Sequence, residues 1–393
     1  MAADGVMQTQ AGDPGAFREF DLTRVPSPCF VVDAAAVERN LSILADVGER
    51  SGAHVLAALK AFSMFALAPM VRRRLKGVCA SGLFEARLGR EEYGGEVATF
   101  CAGYKAAEIE EIVALSDHLI FNSPAQKDRF AAHVRAVGRP VSVGLRINPE
   151  HSEGEVAKYD PCAPGSRLGT PVSQLDDAAL EGVDGLHMHT LCEQGFEPLA
   201  RTWAAIEDRL QPVLPRLKWL NFGGGHHITR ADYDREALIA FIGDLRERTG
   251  LEIYLEPGEA VALDAGILVG EVLDLGRNGM DLAIVDVSAT CHMPDVIEAP
   301  YRPAMLGEPD EGRLYRLGGP SCLAGDVIGD YRWATPPAIG DRFAFLDQAH
   351  YSMVKTNTFN GVPLPAIALW DSRTDELKMV REFGYEDFKG RLS

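Results

Sequence analysis

A lysine, a histidine pair, a glycine run and a glutamate carry chemistry that their surroundings in the sequence do not otherwise explain. Lys60 closes the apolar run Leu56-Ala-Ala-Leu59. Apolar surroundings disfavour the ammonium, so such a lysine gives up its proton more readily, and a neutral amine can form a Schiff base with an aldehyde. The plain alternative is a lysine emerging into solvent. His187 and His189 flank Met188, and on a strand residues two apart share a face. They suit a metal pair, as in barrel hydrolases, or one buried, hydrogen-bonded ring beside one lying flat against an aromatic group. Gly223-Gly-Gly225, within Asn221-Phe-Gly-Gly-Gly-His-His227, would let backbone N–H groups approach an anion closely. The spacing is not Gly-x-Gly-x-x-Gly, which argues against a nicotinamide cofactor. Glu256 opens Glu256-Pro-Gly-Glu259. A carboxylate deep in a fold needs a proton donor or a cation, and a pyridinium nitrogen is one such partner; a surface helix cap is the other reading.

Further along, Gly318-Gly-Pro-Ser-Cys322 with Asp326 sets a thiol in a Gly/Pro loop. Buried cysteines are usually inert, but a loop setting makes this one a candidate functional group. His350-Tyr351 and Thr358-Phe-Asn-Gly361 offer hydroxyl donors, with tyrosine packing as the default.

These residues need elements to bring them together. Eight short apolar runs recur at 54–59, 77–80, 96–101, 117–121, 141–147, 184–189, 217–222 and 252–255. Helical patterns lie between most of them, at 64–75, 83–92, 105–115, 124–137, 196–210 and 231–249, with a shorter candidate at 172–180 after a polar loop from Glu150 to Arg167. Such alternation predicts an α/β fold, a (β/α)8 barrel, over an open doubly wound sheet. Function in a barrel gathers where the strands stop. Those ends are Lys60, Asn148, His189, Gly223 to Gly225, and Glu256. The glycine run follows run seven, where barrels place phosphate groups.

After Gly258 the pattern becomes strands at 269–275, 281–287, 312–317, 341–346 and 366–370, separated by Gly/Pro turns. We expect a second, mostly antiparallel β domain. The early strand at 29–32 would pair with it, with Asp33 as N-cap of a helix from Ala34 to Arg50. The expected division is 1–33, a tail and first strand belonging with the β domain, then a barrel at 34–260, and the β domain at 261–393. Residues 1–17 lack a basic region and an apolar core and read as a flexible tail rather than a signal peptide.

Composition narrows the function. Hydrophobic residues make up 46% and charged residues 24%, as in soluble globular proteins. No apolar run approaches the ~20 residues that span a bilayer. The net charge of -18 argues against nucleic acid and anionic membranes; it would suit a cationic substrate, or simply solubility. The seven cysteines have no Cys-x-x-Cys spacing. That argues against a zinc ribbon or disulfide framework and for a cytoplasmic setting.

Taken together, the residues from about Pro26 to Leu364 resemble the fold-type III decarboxylases that use pyridoxal 5'-phosphate, which include ornithine and diaminopimelate decarboxylases. Tyr159-Asp-Pro-Cys-Ala-Pro-Gly-Ser-Arg-Leu-Gly169, His189-Thr-Leu-Cys-Glu193 and Met293-Pro-Asp-Val-Ile-Glu298 are similar to the carboxynorspermidine/carboxyspermidine decarboxylase branch. The resemblance implies that Lys60 holds the cofactor and His189 stacks on its ring. It implies that Gly223, Gly224, Gly225 and Tyr351 bind the phosphate, and that Glu256 pairs with the ring nitrogen. Cys322 would reach the partner subunit's site in an obligate homodimer, and Lys60 or Cys322 would return the proton. The chain departs from many relatives at Glu259, where they carry Arg, and at Leu191-Cys192, where they carry Gly-Ser.

The substrate implied by this branch is a cationic, carboxylated polyamine. Its distal amines need carboxylates, for which Glu259, Asp295 and Asp326 are the candidates. Diaminopimelate decarboxylase is the alternative in the same cofactor class. Its substrate ends in a carboxylate and needs a basic partner; Glu298 stands near that place, with Arg302 after it. A metal-dependent barrel hydrolase built on His187 and His189 is the alternative from another class, and it leaves Lys60 and the glycine run without a joint role. A non-catalytic pyridoxal-phosphate-binding protein is a further option.

Overall fold

The computed structural model describes residues 7–8, 12–154 and 157–393. Two units divide the chain: residues 39–261, and residues 1–38 together with 262–393.

The first unit is a closed parallel barrel. Its strands are His54–Ala58, Gly77–Ala80, Glu96–Phe100, His118–Phe121, Ser142–Asn148, Gly185–His187, Trp219–Asn221 and Glu252–Leu255. Each pairs with the next in parallel, and the last returns to the first through Tyr254–Leu255 and His54–Val55. Closure leaves no free edge. Helices at Ala68–Arg74, Leu83–Leu88, Ile109–Leu115, Pro124–Ala136, Glu197–Leu210 and Arg235–Thr249 follow the strands. Sequence sets their limits: Ser123 and Asp234 cap two N-termini through side-chain oxygens, and left-handed Gly250 ends the last.

The barrel floor is built around one large indole. Trp219 begins its strand and packs with Leu56, Ala98, Ile120 and Tyr254. A Cβ on Gly185 would sit 2.0 Å from the Trp219 ring, so that strand must begin with glycine. The floor is filled, and open space remains at the end where the strands stop.

In the second unit the sheet runs in the order Val327–Trp333, Arg313–Gly318, Met280–Val285, Gly266–Asn278, Cys29–Asp33, Ala366–Asp371, Glu376–Arg381. Arg342–Leu346 also pairs with the long strand Gly266–Asn278. Most pairings are antiparallel; Cys29–Asp33 with Ala366–Asp371 and Met280–Val285 with Arg313–Gly318 are parallel. Asp33 accepts hydrogen bonds from the Ala35 N–H and the Ser372 hydroxyl.

Several sequence expectations need correction. The helix expected over 172–180 is only a 3-10 turn, Val172–Gln174. The Asp176 carboxylate accepts from the Ala179 N–H, and this local bond competes with helix formation. Two of the longer strands were not expected. Val327–Trp333 is interrupted in sequence by Gly329-Asp330, yet it buries Ile328 and Tyr331. Glu376–Arg381 is a charged strand with one sheet neighbour, and edge strands carry charge rather than an apolar alternation. Of the expected tail at 1–17, residues 1–6 and 9–11 lie outside the described residues. Its end is ordered: Gly15–Glu19 forms a 3-10 turn whose Phe17 is buried against Phe20 and Trp370.

Candidate active site

At the open end of the barrel, Lys60, His187, His189 and Glu256 line one cavity with Arg146 and Phe100. Lys60 follows the first strand, which Ala58 anchors by donating to the Pro257 carbonyl at 2.9 Å. The side chain is exposed at the rim, but its ammonium stands among protein groups. Burial first, then the neighbouring Arg146, lowers its pKa, against the pull of Cys79 and Glu256. Its Nζ lies 3.4 Å from His189 Nε2.

His189 is oriented by the glycine run. Its Nδ1 accepts the Gly224 N–H at 3.0 Å, so the neutral ring carries its proton on Nε2. Burial holds its pKa well below the usual histidine range, and Lys60 and Arg146 push the same way. Gly223 and Gly225 have φ of 67° and 84°, the left-handed region that favours glycine. A Cβ on Gly224 would meet the Glu256 carbonyl at 2.1 Å, and one on Gly225 the Leu191 carbonyl at 1.9 Å. The Gly223 N–H is given to Asn221 Oδ1 at 2.8 Å. Two of the three amides therefore shape the turn itself.

Glu256 is buried, and both of its oxygens are held. Oε1 accepts from Asn221 Nδ2 at 2.7 Å, and Oε2 from His187 Nε2 at 3.0 Å. Burial alone would raise its pKa, but His187, Asn221 and Lys60 outweigh it and the carboxyl sits below its ordinary value. It is an anion held by neutral donors. His187 stacks on Phe100, ring centres 5.5 Å apart and planes 17° from parallel. The Arg146 guanidinium covers Phe100 at 4.5 Å and donates to the His189 carbonyl at 3.1 Å. Burial brings Arg146 down to about 10.

Arg146 and Asn221 were missed from sequence as site residues. Arg146 had a readable signal: a charge inside the buried run Ser142–Asn148 is as conspicuous as Lys60. The histidines do not form a metal pair: His187 Nε2 is turned to Glu256, and the two ring nitrogens of His189 are turned to Gly224 and Lys60. Among the described residues, one group of three His, Cys, Asp or Glu side chains brings ligand atoms within 4.8 Å of one another, Glu193 with His227 and Glu259. Neither His187 nor His189 belongs to it. Glu259 lies 3.1 Å from His227 Nε2.

In the sheet unit, Cys322 is exposed and its N–H donates to Asn360 Oδ1 at 2.8 Å. Asp326 is buried. It accepts from the hydroxyls of Ser288 at 2.8 Å and Ser321 at 2.6 Å and from the Thr290 N–H, so it braces the loop that carries Cys322. Asp295 is 2.5 Å from Lys355 Nζ, and Lys355 also reaches Glu298 at 3.6 Å and the Tyr351 ring at 5.6 Å.

Comparison with known proteins adds to this geometry. The family model described as pyridoxal-dependent decarboxylase, C-terminal sheet domain, matches residues 29–349. A carboxyaminopropylagmatine decarboxylase from Synechocystis is 42% identical, covering 94% of this chain and 96% of that one. A carboxynorspermidine/carboxyspermidine decarboxylase from Campylobacter jejuni is 39% identical, over 94% and 99%. The crystal structure of C. jejuni carboxynorspermidine decarboxylase complexed with norspermidine superposes with a TM-score of 0.86 at 38% identity, covering 93% of this chain and 100% of that one. Diaminopimelate decarboxylases are more distant, as at 24% identity over 314 residues for that of Deinococcus radiodurans.

Proposed function

The chain belongs to the pyridoxal-dependent decarboxylases, and from that premise we propose that it decarboxylates carboxynorspermidine or carboxyspermidine, yielding norspermidine or spermidine. The observation that carries the reading is the barrel mouth. A lysine with a lowered pKa, a neutral imidazole and a fully held carboxylate converge there beside a glycine turn that admits no side chain. That donor set fits pyridoxal 5'-phosphate. Lys60 would hold it through its amine, His189 would lie against the ring and Glu256 would meet the ring nitrogen. Gly225, which follows the two engaged amides of Gly223 and Gly224, would offer its N–H to the phosphate; Tyr351 remains a proposed phosphate ligand.

When bound, the cofactor supplies an aldehyde that captures amines and a ring that accepts the electron pair left by departing carbon dioxide. The chain's own part is electrostatic and acid–base. Partial desolvation keeps the Lys60 amine ready to exchange for the substrate amine. Glu256 stays anionic and so favours a protonated ring nitrogen. Lys60 Nζ or the Cys322 thiol returns a proton to the substrate carbon. Asp295 and Glu259 would take the distal ammonium groups. A substrate ammonium at Asp295 would do so in exchange for Lys355; Asp326 would serve by holding the Cys322 loop. We further infer a cytoplasmic homodimer in which Cys322 completes the partner's site. No helix among the described residues is long and apolar enough to cross a membrane.

The 42% identical Synechocystis relative favours a second substrate of the same class, with a guanidinium in place of the terminal ammonium. The test is carbon dioxide release from carboxynorspermidine, carboxyspermidine, carboxyaminopropylagmatine and diaminopimelate, with borohydride labelling and peptide mapping. We expect the label on Lys60 and turnover of one or more of the first three. Preferred turnover of diaminopimelate, or a protein that neither binds the cofactor nor takes the label, would overturn the reading.

A further inference from the structure

Behind Glu256 stands a layered assembly that none of the roles above uses. His187 is 2% exposed. Its ring is fixed on one side by Phe100, and Phe100 is fixed in turn by the Arg146 guanidinium. Its Nε2 faces Glu256 Oε2 at 3.0 Å, and its Nδ1 is buried with no hydrogen-bond partner. This pattern determines the proton. A second proton would bury an N–H without an acceptor and add a cation near Lys60 and Arg146. The ring is therefore neutral, with its proton on Nε2, and it donates to Glu256 without cancelling the carboxylate's charge.

Resting on the reading of Glu256 given above, we propose that His187 is a positioning residue. It acts through Glu256 to hold the carboxylate in place and anionic, and so sets the protonation of the cofactor's ring nitrogen. A charged partner in its place would neutralise the anion and weaken its hold on that proton. An apolar one would leave Oε2 buried and unpaired, which favours a protonated Glu256. The charged and titratable groups facing the pair are Lys60, Arg146, Cys79 and His189, with Glu85 acting on Lys60 and Cys79.

The measurement is the nitrogen-15 chemical shift of ring-labelled pyridoxal phosphate bound to the full-length holoenzyme, followed across pH, with kcat and KM measured in parallel. The variants are Glu256→Gln, His187→Phe and His187→Gln, the last keeping a donor near the Nε2 position. We expect Glu256→Gln and His187→Phe to move the ring nitrogen toward its unprotonated shift. His187→Phe should lower kcat by about 10–100-fold, the usual worth of an orienting partner, with KM little changed. His187→Gln should remain near wild type in both readouts. The Phe change in a Glu256→Gln background should add nothing. If His187→Phe does not fold, His187→Asn, whose amide is too short to reach Oε2, replaces it against the Gln variant. A shift in Glu256→Gln but none in His187→Phe or His187→Asn overturns the proposal alone. No shift in Glu256→Gln overturns both the proposal and the reading of Glu256 on which it rests.

Discussion

The Gly224 Cα illustrates how little room the site leaves. Its N–H orients His189, and an added Cβ would press on the Glu256 carbonyl at 2.1 Å. Backbone cannot yield as a flexible side chain does, so Gly224→Ala displaces His189 or Glu256. We expect about 1–3 kcal/mol of lost stability, with cofactor lost more readily on dialysis, as absorbance at the cofactor band would report. Asp295 poses a different question, because Lys355 already satisfies it. If a substrate ammonium takes that place, Asp295→Ala should raise KM for carboxynorspermidine roughly tenfold with kcat nearly unchanged, the signature of lost uniform binding. An unchanged kcat/KM would remove Asp295 from the substrate site.

At the scale of elements, the join between the N-terminal segment and the sheet unit carries a pH dependence. Asp264 accepts the Gly12 and Asp13 N–H groups at 2.7 and 3.1 Å. Burial, and then Asp347, pushes its pKa up from 3.8 to about 6. A carboxyl raised in the folded state favours folding below its unfolded pKa and loses that contribution as pH rises through about 6. Asp264→Asn keeps an acceptor for both N–H groups and removes the charge. Its stability at pH 8 should exceed that of wild type by about 1 kcal/mol once partial exposure is allowed for, read as a higher Tm. The gain should vanish near pH 4. Thermal melts at the two pH values decide it; an equal difference at both would mean that the charge of Asp264 is not responsible.

For the molecule as a whole, the net charge of -18 forms a field that attracts a polycationic substrate, and salt screens such a field. KM for the polyamine substrate should rise severalfold between about 20 and 300 mM salt while kcat changes little. A KM insensitive to salt would confine recognition to contacts within the site.

Periodicity was enough to read the barrel. Eight apolar runs with helical patterns between them have few ways to bury their faces, and the residues at the strand ends then share a rim without any distance being known. Lys60, His189, the glycine run and Glu256 were legible on that ground, and the motif resemblance supplied their expected roles. Composition likewise announced an acidic protein. What the sequence left open depended on contacts between residues far apart in the chain. The pairing of His187 with Glu256 spans 69 positions. The cover of Arg146 over Phe100 and the pinning of His189 by Gly224 follow the pairing of strands, which puts the ends of segments distant in sequence side by side. The edge strand Glu376–Arg381 was illegible for a related reason: with one neighbour and water beyond, its sequence answers to solvent, and only its partner strand defines it. Patterns of burial are local and periodic, so sequence alone determines them; hydrogen-bond partners and proton positions are pairwise and long-range, so they are decided only when the chain folds.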